Sequence, residues 1–173
     1  MSRDVLKSGL AIAVVALTLS ACAMAPSGAS STSIEPPQAE HVMTLVASGV
    51  QTYSCEFDAQ HRLRWVFRSP QATLFDASGH AVVRHAEGPS WEAQDGSRIV
   101  GRVIAQQPSE TKASVPQLLL ETHSTAGPGV LSPVRYVQRV KTVGGLMPAS
   151  PCSMEHEIGS SPYLADYAFY KVR

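Results

Sequence analysis

The chain has 173 residues, in which 14 Lys and Arg balance 14 Asp and Glu, and 44% of the residues are hydrophobic. A chain without a basic excess or a basic cluster does not favour nucleic acid as a partner, because neutralising phosphates requires many Lys and Arg on one face. About 130 residues follow His41, which is enough for one domain with a hydrophobic core and too few for two.

The N-terminus has the organisation of a bacterial lipoprotein signal. Two basic residues and one acidic residue precede a short apolar run over residues 8–19. That run is shorter than the roughly 20 apolar residues of a membrane-spanning helix, so it is typical of a signal peptide. Leu19-Ser20-Ala21-Cys22 follows and resembles a lipobox, in which small residues admit a peptidase and the cysteine thiol accepts a diacylglyceryl group. We therefore predict a signal peptide over residues 1–21 and a lipid on Cys22.

These features predict a protein of the bacterial cell envelope that is held to the membrane by its N-terminal lipid. Stable anchoring needs more than one acyl chain, which a triacylated cysteine supplies. Ala23 rather than Asp follows the cysteine, and the resemblance to lipoproteins implies the outer membrane, facing the periplasm or the cell surface. The alternative is an ordinary cleaved secretory signal with a coincidental cysteine.

The segment after the lipobox is typical of a flexible tether. Residues 23–40 consist largely of Ala, Ser, Pro and Gly and have no apolar periodicity, so they cannot bury enough surface to order themselves. We predict a lipidated cysteine and flexible linker over residues 22–41, followed by a single all-β domain over residues 42–173.

The three cysteines of the chain divide into two groups. With Cys22 assigned to the lipid, Cys55 and Cys152 remain in an oxidising compartment, which favours a disulfide bond between them. Such a bond closes a loop of about 100 residues and stabilises the fold by at most about 4 to 5 kcal/mol. Two free thiols at a catalytic or metal site are the alternative, although no CxxC spacing supports a metal.

The pattern after residue 41 predicts strands rather than helices. Residues 62–68 place Leu63, Trp65 and Phe67 on one face, as in a half-buried strand. Asp95-Gly96 suits a two-residue hairpin turn. Strands are predicted over 50–57, 62–68, 72–75, 81–85, 91–94, 97–105, 118–122, 134–143 and 163–172, with a helical turn within 39–47. Many short strands predict one antiparallel β-sandwich or barrel, and the alternation is the same in both.

A series of short motifs runs through this region in a specific order and spacing. The longest are HAEGPSWE at 85–92, GVQTYSC at 49–55 and RVKTVGG at 139–145. The others lie at 65–67, 70, 72–74, 95–97, 148, 152 and 165–170. Together they resemble the domain-of-unknown-function 3455 family of bacteria and fungi over most of residues 49–170. The resemblance implies an all-β architecture and the pairing of Cys55 with Cys152, and it implies no reaction because the family has no established activity.

The chain departs from the pattern of this family at one position. The family usually places Trp after the proline of the segment at 115–118, where this chain has Gln117. If that Trp lines a binding surface, the departure implies that this chain has lost part of it.

The segment from His85 to Ser97 contains the candidate catalytic residues. If the turn at Gly88-Pro89 joins two antiparallel strands, His85 lies roughly opposite Glu92, and a carboxylate can orient an imidazole and raise its pKa. Asp95 and Ser97 follow on the next turn, so a Ser/His/Asp grouping is one hypothesis. The other is that these polar residues only cap turns. His85 and Trp91 are also candidates for ligand binding.

The sequence offers less support for a metal site or an aromatic recognition site than for the catalytic candidates. We predict no metal and no cofactor. His80 and His85 are five positions apart, an odd offset that places their side chains on opposite faces of a strand, and His123 and His156 stand alone, without any HxH or HExxH motif. An aromatic group near the C-terminus suits either a core or a recognition stripe for flat rings. It consists of Tyr163, Tyr167, Phe169 and Tyr170.

The sequence favours a lipid-anchored envelope protein that acts as a binding module for a partner protein, a glycan or a small ligand. The alternative is a small hydrolase or isomerase centred on His85 with Glu92 or Asp95, and a third hypothesis is a purely structural envelope component. The sequence does not decide whether the protein is an enzyme, and it favours a protein without enzymatic activity.

Overall fold

The computed structural model describes residues 33–173, which form eight strands and, among these residues, no helix. The predicted signal peptide and Cys22 lie outside the described residues. The strands are β1 (Ala39–Phe57), β2 (Leu63–Phe75), β3 (Ala81–Ala86), β4 (Ser90–Ala93), β5 (Arg98–Gln107), β6 (Gln117–Ala126), β7 (Val134–Gly144) and β8 (Ile158–Val172). The described part of the chain contains no helix long and apolar enough to cross a membrane.

The eight strands form one antiparallel sheet that closes on itself. Each strand pairs with the next along the chain, and β8 pairs with β1 from Ala39 opposite Val172 to Ser54 opposite Ile158. The prediction of an all-β antiparallel domain is confirmed, and the closure makes it a barrel rather than a sandwich. An eight-stranded barrel has an interior just wide enough to be filled by side chains or to hold one small ligand.

Strand β1 differs from its prediction at the N-terminal end. The helical turn expected within residues 39–47 is wrong, because this segment is extended and pairs with β8. Leu45 and Ala47 are buried while Thr44 and Val46 are exposed, the two-residue alternation of a strand. The strand starts at Ala39, inside the segment predicted as linker.

The chain just before β1 also packs on the barrel. Ile34 is only 6% exposed, and its carbonyl accepts a hydrogen bond from Gln138 Nε2 at 3.0 Å. Part of the predicted linker therefore contributes to the folded unit, because one apolar residue and one carbonyl suffice to fix a short segment that has no periodicity of its own.

A dense core fills one half of the barrel, which we call the packed half. Its fully buried side chains include Leu74, Ile99, Leu131, Val134 and Phe169. Burying each such side chain contributes on the order of 1.5–3 kcal/mol. This half provides the rigid base on which the rest of the barrel is built.

A disulfide bond joins Cys55, near the end of β1, to Cys152, in the loop before β8. Their Cα atoms are 5.8 Å apart and 97 residues separate them in the chain. Backbone hydrogen bonds between Cys55 and residues 156 and 157 continue the contact. The predicted pairing is confirmed, and the bond fixes the end of the barrel opposite to the packed half.

Candidate functional site

The barrel wall has an opening between β2 and β5. The hairpin of β3 and β4 is short, so β3 pairs only with residues 72–75 of β2, and β4 pairs only with residues 98–100 of β5. Within the described chain, residues 63–71 of β2 and 101–107 of β5 have no strand partner on this side. We call the gap between these two segments the side opening.

A cavity of about 380 Å³ lies behind the side opening. Its lining residues that remain at least partly exposed mark the outer end, and they are Phe67, Arg68, Glu87, Gly88, Pro89, Val103 and Leu118, with Pro70 buried beside them. At its inner end are Gln51, His85, Trp91, Leu120, Arg139 and Tyr167. A concave, mostly apolar site of a few hundred Å³ with a few converging polar groups is the usual form of a small-molecule site.

Two glycines let the strands around the cavity approach closely. A Cβ atom on Gly49 would lie 2.1 Å from the carbonyl oxygen of Gln71, so only glycine allows β1 and β2 to pack as they do here. A Cβ atom on Gly101 would lie 3.1 Å from the Trp91 ring. The position of Trp91 at the inner end of the cavity therefore depends on a glycine in the neighbouring strand.

His85 is held rigidly against Trp91. The two residues are opposite each other across β3 and β4, and their rings stack with centroids 4.6 Å apart. His85 Nδ1 lies 2.8 Å from the Ser90 carbonyl oxygen, so Nδ1–H donates and Nε2 is left as an acceptor. Burial is the main cause that lowers the pKa of His85 to about 4, with the hydrogen bond to Ser90 acting against it and the Arg139 charge adding to it. The imidazole is therefore neutral near pH 7.

The predicted pairing of His85 with Glu92 is wrong by one residue. Glu92 lies opposite Arg84 on the outer face of the barrel, where the two side chains form an ion pair at 3.3 Å. The turn between β3 and β4 contains three residues, because Ala86 pairs with Ser90. A longer turn would be needed to place Glu92 opposite His85, and a slip of one residue moves a side chain to the other face.

Asp95 and Ser97 are not grouped with His85, because neither lines the cavity. The Ser97 hydroxyl donates to Asp95 Oδ1 at 2.6 Å, and the Val130 and Leu131 amides donate to Asp95 and Ser97. The hydrogen bond from Ser97, followed by that from Val130, lowers the pKa of Asp95. These two side chains connect the β4–β5 turn to the loop before β7, and the predicted Ser/His/Asp grouping is not formed.

Among the lining residues that the sequence analysis did not propose are two buried polar ones, Gln51 and Arg139. Gln51 is 2% exposed, and its Nε2 has no hydrogen-bond partner in the described chain. Arg139 is 8% exposed, and its Nε and Nη2 donate to the Pro116 carbonyl at 3.2 and 2.8 Å. Gln51 alternates with inward-facing Tyr53, and this is the signal that would have found it.

The aromatic residues near the C-terminus belong mainly to the core. Tyr163, Tyr167 and Phe169 are buried inside the barrel, and the Tyr163 and Tyr167 hydroxyls lie 3.3 Å apart. Burial raises the pKa of both tyrosines. Of this group only Tyr167 lines the cavity. Tyr170 is half-buried and donates to Gln138 Oε1 at 3.1 Å.

His156 does not stand alone as the sequence analysis expected. The disulfide brings its loop against β1, and its Nδ1 lies 3.3 Å from Glu56 Oε2. Glu155 is the third member of a group whose potential ligand atoms lie within 4.8 Å of one another. Glu155 and His156 are exposed, and exposed acidic groups commonly lie close together without a metal. Gln117, at the position where the family usually has Trp, does not line the cavity.

Comparison with known proteins gives a family and no activity. The family described as "Protein of unknown function (DUF3455)" matches residues 36–171, which include every residue that lines the cavity. No curated protein and no solved structure matches the chain. The resemblance found in the sequence motifs is therefore confirmed, and the chain belongs to the DUF3455 family of proteins of unknown function.

Proposed function

We propose that the protein is a binding module that takes one small ligand into its barrel through the side opening. The observation that carries this proposal is the pair of buried donors, Gln51 Nε2 and Trp91 Nε1, which lack acceptors in the described part of the chain. Roughly 90% or more of buried polar groups have partners in folded proteins, and an unpaired one costs about 1–3 kcal/mol. A ligand that brings acceptor atoms into the cavity recovers part of this cost.

The shape of the site supports a small ligand over a partner protein or a glycan chain. The cavity holds about 380 Å³ and ends inside the barrel at Trp91 and Tyr167. Its outer end presents apolar side chains such as Phe67 and Val103. A recess of this kind, with buried side chains at its inner end and exposed ones at its outer end, suits a compact molecule that enters with its polar end first.

The binding module is proposed to be anchored in the bacterial envelope by a lipid on Cys22. The support is the lipobox and the short apolar run before it. We expect the chain produced in a bacterial host to incorporate labelled palmitate and to fractionate with membranes, whereas a Cys22→Ser variant should do neither. Palmitate incorporation by the variant equal to that of the wild type would exclude the anchor at this residue.

The alternative of a hydrolase or isomerase centred on His85 has less support. Glu92 is on the outer face in an ion pair with Arg84, and Asp95 is committed to Ser97 and Val130. Neither of these two carboxylates therefore orients His85 as a general base. Its Nδ1–H donates to the Ser90 carbonyl instead, and its stacking on Trp91 suits a role in the wall of a binding site.

A neutral fluorescent probe tests the binding function. N-phenyl-1-naphthylamine fluoresces more strongly in apolar surroundings and carries no charge. We expect its fluorescence to rise and saturate with residues 23–173, a soluble form without Cys22 that is exported to the periplasm so that the disulfide forms. Absence of saturable binding would argue against the cavity as a ligand site.

Two neighbouring residues on β5 provide a matched control. Val103 lines the side opening and Ile104 does not, yet both are exposed, at 48% and 39%, so neither substitution disturbs the core. Val103→Trp should obstruct the opening and weaken the probe at least several-fold, whereas Ile104→Trp should bind as the wild type does. Equal binding by the two variants would place the probe elsewhere.

A further inference from the structure

Arg139 is a buried cation without an anionic partner. Its side chain lines the inner part of the cavity, and no ion pair among residues 33–173 includes it. A guanidinium is always charged in proteins, and burying a charge without a counterion is costly. The Pro116 carbonyl accepts from two of its nitrogens, which orients the group without neutralising it.

The charge of Arg139 acts on the side chains around the cavity. It adds to the lowering of the His85 pKa by burial, and it partly offsets the rise that burial causes in the pKa values of Tyr53, Tyr163 and Tyr167. These groups are neutral near pH 7 and supply no negative charge. An unneutralised positive potential therefore fills the inner end of the cavity.

The other charged residues at the site do not change this balance. Glu87 is the acidic side chain that lines the cavity, but it is exposed at the outer end. Arg68 is exposed at the same end and offsets it. The lining therefore carries one net positive charge, which comes from the buried Arg139 and favours entry of an anion.

Donors also outnumber acceptors at the inner end. Gln51 Nε2 has two N–H groups without a partner. Arg139 directs two of its five N–H groups at Pro116 and shares a further hydrogen bond with the Tyr167 side chain, which leaves two N–H groups for a ligand. A carboxylate offers two planar oxygens that accept several hydrogen bonds, and it matches a guanidinium in shape and charge. A phosphate dianion would need more than one cation, and the apolar outer end would solvate it poorly.

This step rests on the proposed ligand-binding function. We propose that the ligand is a small organic carboxylate whose acid group lies between Arg139 and Gln51 and whose apolar body extends towards Phe67 and Leu118 at the side opening. The ligand supplies the missing counterion and acceptors at the inner end, while its body covers the apolar outer end.

Three probes with one ring system test this assignment. Their binding to the soluble form of residues 23–173 is measured at pH 7 by calorimetry, with 2-naphthoate, 2-naphthylmethanol and 2-naphthylmethylammonium. We expect the acid to bind about tenfold more tightly than the alcohol, since a hydrogen-bonded charge pair typically contributes this much or more. The ammonium compound should bind most weakly, because Arg139 repels it.

The outcomes separate the ligand class from the binding function. If the alcohol or the ammonium compound binds as tightly as the acid, the carboxylate assignment is overturned while the binding function stands. If neither these three probes nor the neutral probe above binds, the binding function itself fails.

Two variants locate the preference at the proposed residues. Arg139→Gln should reduce the acid-to-alcohol ratio to about one, provided that circular dichroism shows a folded barrel. Gln51→Leu leaves Arg139 in place and should lower the ratio several-fold, so it decides the question if the Arg139 variant does not fold. Arg84→Gln removes the same charge from the outer face and should leave the ratio unchanged. A ratio that persists in both cavity variants would contradict the proposal.

Discussion

The packed half of the barrel and the half that contains the side opening with Gln51 and Arg139, which we call the cavity half, are built from the same strands but are stabilised in different ways. Leu74, Ile99 and Phe169 fill the packed half without exposed surface. The cavity half has polar side chains inside the wall, and its fixed points are the Cys55–Cys152 bond and the hydrogen bond from Tyr53 to the Gly145 carbonyl at 2.6 Å. In the cavity half the disulfide bond supplies part of the stabilisation that packed side chains supply elsewhere. The interior there is not filled by side chains and is available to a ligand.

A ligand site in the cavity half also accounts for the buried polar side chains of Gln51 and Arg139. A donor without a partner and a cation without a counterion both reduce stability. Gln51 and Arg139 are inside the barrel nonetheless, which suits a site that is completed by a ligand. The predictions below test this difference between the halves, beginning with the largest effect.

Truncation of a core side chain should reveal the difference directly. Phe169 is fully buried in the packed half, so Phe169→Ala should lower the free energy of unfolding by about 3–5 kcal/mol. Leu118 is half-buried beside an existing cavity, so Leu118→Ala should cost about 1 kcal/mol. Urea unfolding measures both values. Equal losses would mean that the two halves are equally well packed.

Removal of the disulfide should affect the cavity half most. Cys55→Ser with Cys152→Ser should lower the free energy of unfolding by up to about 4 kcal/mol, because the open chain gains loop entropy. Probe binding should weaken in this variant even where circular dichroism shows an intact barrel. The wild-type protein with and without reductant is the control, and equal thermal stability in the two conditions would contradict the proposed role of the bond.

The buried His85 should make stability depend on pH in a defined window. Its folded-state pKa is about 4, below the ~6.5 of an unfolded chain, so the unfolded state binds the proton first as pH falls. Stability is therefore fully present above about pH 6.5 and declines towards pH 4, by about 3 kcal/mol for this shift. His85→Phe should flatten the dependence in urea unfolding at several pH values.

The same histidine distinguishes the observed register from the one predicted from the sequence. NMR titration of the His85 ring should give the same low pKa in the wild type and in Glu92→Gln, because Glu92 faces away from His85 and pairs with Arg84. A change of the His85 pKa by a unit or more in this variant would show that His85 and Glu92 do interact, as the sequence analysis predicted.

The smallest expected effect comes from Gln51. In the absence of ligand, Gln51→Leu removes an unpaired buried donor and keeps a side chain of similar volume, so it should raise the free energy of unfolding by about 1 kcal/mol. Gln71→Leu on the outer face of β2 is the matched control and should change stability little. A loss of stability in the Gln51 variant would indicate that this side chain serves the fold rather than a ligand.

The alternation of apolar and polar residues was sufficient to predict a β domain, and the paired cysteines were sufficient to predict its covalent link. The alternation is a local property of each segment. The cysteine pairing requires only the number of cysteines and an oxidising compartment. The extended start of β1 was not predictable, because residues 39–47 gain their conformation from pairing with β8 at the other end of the chain. Closure into a barrel rather than a sandwich depends on the same distant pairing.

In the candidate site, too, some properties of single residues were predictable from the sequence and others only from the folded structure. The sequence by itself determined that His85 and Trp91 lie near a turn, and it identified both as candidates for binding. Only the tertiary structure decided that a three-residue turn places these two opposite each other and that Gln51 and Arg139 point into the same cavity from β1 and β7. The alternation of a strand defines two faces without saying which is inside, and only the closure of the sheet makes one of them an interior.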